Sequence, residues 1–113
     1  QQCWMTVPIG RLQVQDYRVL DRGPEKKTCR LQPSRSYQIT PTQPAAVDAN
    51  EPVHQVLNLP EFGGRAVSLH VYSKPFDSCE VYSLEKGSYR DVPLYYTSEY
   101  GKLCAGELAV QAG

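Results

Sequence analysis

The sequence predicts an all-β fold, a sandwich or barrel of many short strands. Three observations carry that prediction. Apolar and polar residues alternate in short runs, as they do along strands with one buried face. Nine prolines and eight glycines punctuate those runs, and eight tyrosines enrich them, a mix that suits strands and turns better than helices. No stretch of about ten residues keeps a helical spacing, and no segment repeats.

Residues 1–7 read as the middle of a strand, and Pro8-Ile9-Gly10 as the turn after it. Residues 11–15 alternate again, and 17–20 continue after a polar break, so together they suggest a hairpin. Residues 21–27 read as a charged, solvated loop. A short strand at 28–31, a turn at 32–35 and a second strand at 36–40 follow. Residues 41–52 hold three prolines among small polar residues, which argues against regular sheet there. Then come a strand at 53–59, a hairpin loop at 60–64, a strand at 65–72, a turn at 73–77, a returning strand at 78–84 and a turn at 85–87. The last clear strand is 89–97, broken only by Pro93, and 98–113 is a less ordered tail. Trp4 and Phe76 are expected in the core.

A chain of 113 residues is enough for one domain with one modest core. Twelve basic and twelve acidic side chains cancel. No basic face argues for nucleic acid, and no apolar run is long enough to span a membrane. No signal peptide opens the chain. Cys3, Cys29, Cys79 and Cys104 lie far apart with no C-x-x-C pair, so a structural zinc site is not expected. Reduced thiols in a cytoplasmic protein are expected in preference to a disulfide framework.

Chemistry concentrates in residues 66–79, Ala-Val-Ser-Leu-His-Val-Tyr-Ser-Lys-Pro-Phe-Asp-Ser-Cys. At period 2, Val67, Leu69 and Val71 share one face while Ser68, His70 and Tyr72 share the other. A Ser-x-His-x-Tyr ladder of mutually hydrogen-bonding groups is a poor solvent face. It suits the inside of a small barrel, where a few polar groups line a site. The two histidines, His54 and His70, stand on successive predicted strands, and antiparallel pairing of those strands would turn both rings to one interior. Cys79 reads as a small buried apolar residue. Cys29 and Cys104 carry no assignable role.

Two short patterns resemble cupin motifs: Pro52 with His54-x-x-x-Asn58, and Cys3 followed six residues later by Gly10. A longer match is more specific. His54-Gln-Val, then 66–79, then Tyr95-Tyr-Thr-Ser-Glu-Tyr-Gly101 resembles eukaryotic-type cysteine dioxygenase in order and spacing. Cys3-Trp4 resembles the cysteine after that family's first metal motif, while 21–52 match poorly. The resemblance implies a single partial cupin domain over residues 1–113. Its fold would be a double-stranded β-barrel of jelly-roll type, incomplete at the N-terminal side.

The resemblance also implies a chemistry. In that family three histidines bind iron(II). His54 corresponds to the third, and the other two form a His-x-His pair that would fall just before Gln1. Ser68, His70 and Tyr72 correspond to a ladder beside the iron, and Cys3 and Tyr72 to a thioether-linked pair. The substrates would be L-cysteine and dioxygen, and the product cysteine sulfinic acid. Neutral histidines let an anionic thiolate bind without accumulating negative charge on the metal. This chain also lacks the family's upstream arginine, which grips the substrate carboxylate. Three readings follow: an iron-dependent thiol dioxygenase, a related enzyme acting on cysteamine or 3-mercaptopropionate, or a non-catalytic cupin that binds a partner. An incomplete barrel is also expected to self-associate through exposed strand edges.

Overall fold

The structure, a computed structural model, describes residues 2–75 and 77–104. It is built from antiparallel strands: β1 (Cys3–Ile9), β2 (Leu12–Gly23), β3 (Thr28–Ile39), β4 (Ala45–Ala46), β5 (His54–Leu57), β6 (Val67–Tyr72), β7 (Ser78–Ser83), β8 (Ser88–Pro93), β9 (Ser98–Glu99) and β10 (Lys102–Leu103). One single 3-10 turn, Pro60–Phe62, precedes β6. The strands form a three-stranded sheet β4-β1-β6, a five-stranded sheet β5-β2-β3-β8-β7 and a small β9–β10 hairpin. The all-β, jelly-roll-like expectation holds, but the sheets do not close into a barrel: β6 and β7 end the two larger sheets without pairing to each other.

The core sits between the inner faces of β1 and of the β2–β3 hairpin. Met5, Val7, Leu12, Val14 and Ile39 are buried there, with Cys3, Tyr37, Ala45, Val47 and Ala66 packed around them. Period 2 explains the set. Cys3, Met5 and Val7 are alternate residues of β1, and Leu12 and Val14 are alternate residues of β2. Leu12 stands opposite Ile39 and Val14 opposite Tyr37.

Several strands run further than expected. The hairpin expected over residues 11–20 is instead a single strand, and β2 continues through Asp21-Arg22-Gly23, so the charged loop shrinks to its last four residues. The turn expected at 32–35 is strand: Pro33 stands opposite Tyr17 beside a register shift, where the ladder tolerates a missing N–H. Pro8 likewise lies inside β1, at the register shift between Thr6 and Ile9. Conversely, β8 stops at Pro93, and β9–β10 give order to a stretch expected to be tail. Residues 105–113, the rest of that expected tail, lie outside the described residues, as does Phe76. Trp4 is not in the core. It is 47% exposed, because it occupies the outward register of β1.

β5 and β6 do not pair with each other. β5 pairs with β2, and β6 with β1. The β7–β8 hairpin meets the rest of its sheet at one register pair, Thr28 with Ser88. Two hydrogen bonds flank it, Cys29 N–H to the Gly87 carbonyl at 2.8 Å and Tyr89 N–H to the Lys27 carbonyl at 2.9 Å.

Candidate active site

The β1–β6 register builds the first wall. Tyr72 stands opposite Cys3 and His70 opposite Met5. Directly opposed residues share a face, so Ser68, His70 and Tyr72 turn inward with Cys3 and Met5. Ser68 and His70 are half-buried, whereas Val67, Leu69 and Val71 face solvent. The polar side of the strand is therefore the inner one. Ser68 Oγ and His70 Nε2 lie 3.0 Å apart.

The second wall comes from the five-stranded sheet. His54 opens β5, whose register sets it opposite Asp16 of β2. Its Nδ1 lies 2.8 Å from the Pro52 carbonyl oxygen. A carbonyl only accepts, so Nδ1 carries a proton, and in the neutral ring the lone pair is on Nε2. The two histidines thus stand on different sheets, not along a shared ladder. Burial lowers the pKa of His70, and the charge on nearby His54 lowers it further.

Between these walls lies a cavity of about 770 Å³, lined by Cys3, His54 and Tyr72, with Cys79, Glu80 and Tyr82 of β7 on its far side. Burial raises the pKa of the Tyr72 phenol; the adjacent Cys3, and then Cys79, raise it further. At neutral pH that phenol keeps its proton and can donate a hydrogen bond. Ser68 and His70 do not line this cavity; they sit behind Tyr72 along β6. None of the four cysteines forms a disulfide. Cys79 is half-buried at the cavity wall rather than buried in the core.

Sequence reasoning missed three features around the site: the Tyr82–Glu80 pair, Arg22 and Asp16. Tyr82 donates to Glu80 at 3.2 Å. Arg22 reaches across from β2 to both, pairing with the Glu80 carboxylate and lying 3.3 Å from the Tyr82 hydroxyl. The Arg22 guanidinium also lies 4.3 Å over the Tyr89 ring. The third, Asp16, is 4% exposed and accepts from Arg35 Nε at 3.2 Å. Asp16 left a signal in the sequence: it occupies the inward register set by Leu12 and Val14, where an acid needs a partner.

Among the described residues, no group of three His, Cys, Asp or Glu converges in a way that could hold a metal ion. His54 fits as one neutral nitrogen ligand, not as a complete site. No described helix is long and apolar enough to cross a membrane.

Cysteine dioxygenase type 1 of Danio rerio is 42% identical over 45 residues, which are 40% of this chain and 22% of that protein. The family pattern described as cysteine dioxygenase type I matches residues 2–85, a span that includes Cys3, His54, Ser68, His70, Tyr72 and Cys79. The chain belongs to the cysteine dioxygenase type I family.

Proposed function

We propose that these residues form part of the active site of an iron(II)-dependent thiol dioxygenase that oxidises L-cysteine with dioxygen to cysteine sulfinic acid in the cytoplasm. The observation that carries the reading is the fixed tautomer of His54: its Nδ1 is held by Pro52, leaving Nε2 as a donor toward the cavity it shares with Cys3 and Tyr72. One imidazole cannot hold iron(II), so the proposal includes two further histidine donors, the His-x-His pair implied by the resemblance.

The chain's own side chains have separate tasks. His54 supplies a neutral ligand and leaves charge capacity for the substrate thiolate. Tyr72, protonated at neutral pH, donates a hydrogen bond to the reacting sulfur or oxygen. Ser68 fixes the ring of His70, which sits beside Tyr72 on the inner face of β6. Cys3, directly opposite Tyr72, holds the phenol ring by a thioether bond. That bond forms between Cys3 sulfur and a ring carbon of Tyr72, and dioxygen accepts the two hydrogens released.

The test is iron content and oxygen uptake on adding L-cysteine to the gene product as purified. Near-stoichiometric iron and sulfinate formation are expected, and His54→Ala should abolish both. Faster uptake with cysteamine or 3-mercaptopropionate would reassign the substrate within the same chemistry. No iron and no uptake would put the non-catalytic cupin, a binding module, in its place.

A further inference from the structure

Residues 47–55 run from one sheet to the other and carry His54. The first end is tied to β1, where Val47 N–H donates to the Cys3 carbonyl at 2.9 Å. A turn follows: Asn50 N–H donates to Asp48 Oδ1 at 2.9 Å, and Glu51 N–H to the Asp48 carbonyl at 3.2 Å. The second end is tied to the β2–β3 hairpin at alternate residues. Glu51 uses both carboxylate oxygens there: Oε1 accepts from Arg18 Nε at 2.9 Å and Oε2 from Ser34 Oγ at 3.2 Å. The Val53 carbonyl accepts from Tyr17 N–H at 2.9 Å, and Gln55 Oε1 from the Tyr17 hydroxyl at 3.2 Å. Pro52 sits between the Glu51 and Val53 anchors, and its carbonyl is the group against His54 Nδ1. The proline ring locks its own φ and restricts Glu51 before it to extended backbone. The direction of the Pro52 carbonyl then turns on one torsion, ψ, and on the placement of its two neighbours. The Val53 anchor is backbone, which almost any residue would supply. The Glu51 anchor is a side chain, so it is specified by the sequence.

We infer that Glu51 is a positioning residue for His54: with Arg18 and Ser34 it holds the Pro52 carbonyl where that carbonyl selects the tautomer of the ring. In the other neutral tautomer the proton is on Nε2, which then has no lone pair for a metal. The inference rests on the reading of His54 as an iron ligand. The competing account is a bare surface ion pair, since the Arg18 side chain is 60% exposed and that of Glu51 26%, and such pairs add little to global stability. The two accounts differ at the ring: a bare surface pair does not move the proton between the nitrogens of His54.

The test is nitrogen NMR of His54 in the gene product stripped of metal by a chelator, at a pH where the ring is neutral, beside the iron(II) affinity of the same protein. Glu51→Ala and Arg18→Ala should each lower the ratio of Nδ1-protonated to Nε2-protonated rings roughly fivefold, the most that one exposed ion pair supplies. The iron(II) affinity should fall with it, while the far-ultraviolet circular dichroism is retained. Glu51→Gln keeps an acceptor oxygen and should recover most of the ratio. Asp21→Ala removes another exposed pair, with Arg30 at 3.2 Å, and should change neither readout. If Glu51→Ala unfolds the chain, Ser34→Ala removes only one of the two bonds and should give a smaller shift of the same sign. Unchanged His54 nitrogen signals in the folded variants overturn the inference, as does an equal shift in Asp21→Ala. The inference and the reading beneath it fail separately. A shifted tautomer in a gene product that binds no iron(II) upholds the role of Glu51 and removes the thiol dioxygenase.

Discussion

At His54 a neighbour two residues back decides what the ring can do. The Pro52 carbonyl fixes the proton on Nδ1, so nitrogen NMR of the neutral ring should show a protonated Nδ1 and a bare Nε2. His70 is tuned by its surroundings instead. Burial and His54 lower its pKa, so the folded state prefers it neutral. The unfolded chain binds the proton more readily, and stability falls as pH drops below the ordinary histidine range. Thermal unfolding from pH 7 to pH 5 should show that fall, and His70→Gln should flatten it. Cys3 and Tyr72 give a covalent readout. In iron-loaded, turned-over protein the intact mass should be lower by the mass of H2, and Cys3→Ser should restore it. The five expected site residues, Cys3, His54, Ser68, His70 and Tyr72, were singled out by the Ser-x-His-x-Tyr alternation and the family's spacing, whereas Cys79, expected as a buried apolar residue, lines the cavity. Glu80, Tyr82 and Arg22 were not singled out. Their grouping depends on β7 lying across from the end of β2, a long-range placement that no local pattern encodes.

Among the elements, the alternating runs were the most legible, and the boundaries at proline and charge the least. Period 2 identified β1, β5, β6 and β7 to within a few residues because each has one inward face. It divided β3 at Pro33 because a proline removes a ladder donor; a register shift beside Tyr17 absorbs that loss. It ended β2 at Asp21 because a run of charges reads as a loop, although the far half of a long hairpin can be solvated on both faces. The turn expected at residues 8–10 narrows to Gly10, because Pro8 and Ile9 are strand, and Gly10 has a physical requirement. Its φ is +80°, and a Cβ there would lie 2.4 Å from the Arg65 carbonyl oxygen. Gly10→Ala should therefore cost about 2 kcal/mol in chemical denaturation, from backbone strain and the clash together.

For the molecule as a whole, the core is small and the apolar surface large. Eight hydrophobic residues and Asp16 are buried among the described residues, while sixteen large hydrophobics are exposed. Stability therefore rests on few contacts. Ile39, fully buried between β2 and β1, should lose about 3 kcal/mol on replacement by Ala, enough to unfold much of the population at moderate denaturant. The same economy governs the β7–β8 hairpin, which joins its sheet at the single pair of Thr28 and Ser88. Beside that pivot the hairpin is held by side chains, Arg22 on Glu80 and Tyr89 and Lys27 on Asp91. Rotation about the pivot breaks no ladder. Amide protons of β7 should exchange with solvent faster than those of the β2–β3 ladder, and Arg22→Ala should speed them further while leaving β2–β3 unchanged. The width of the cavity then depends on the grip of two cations, Arg22 and Lys27, on this hairpin, and its β7 wall is hung on a hinge rather than fixed.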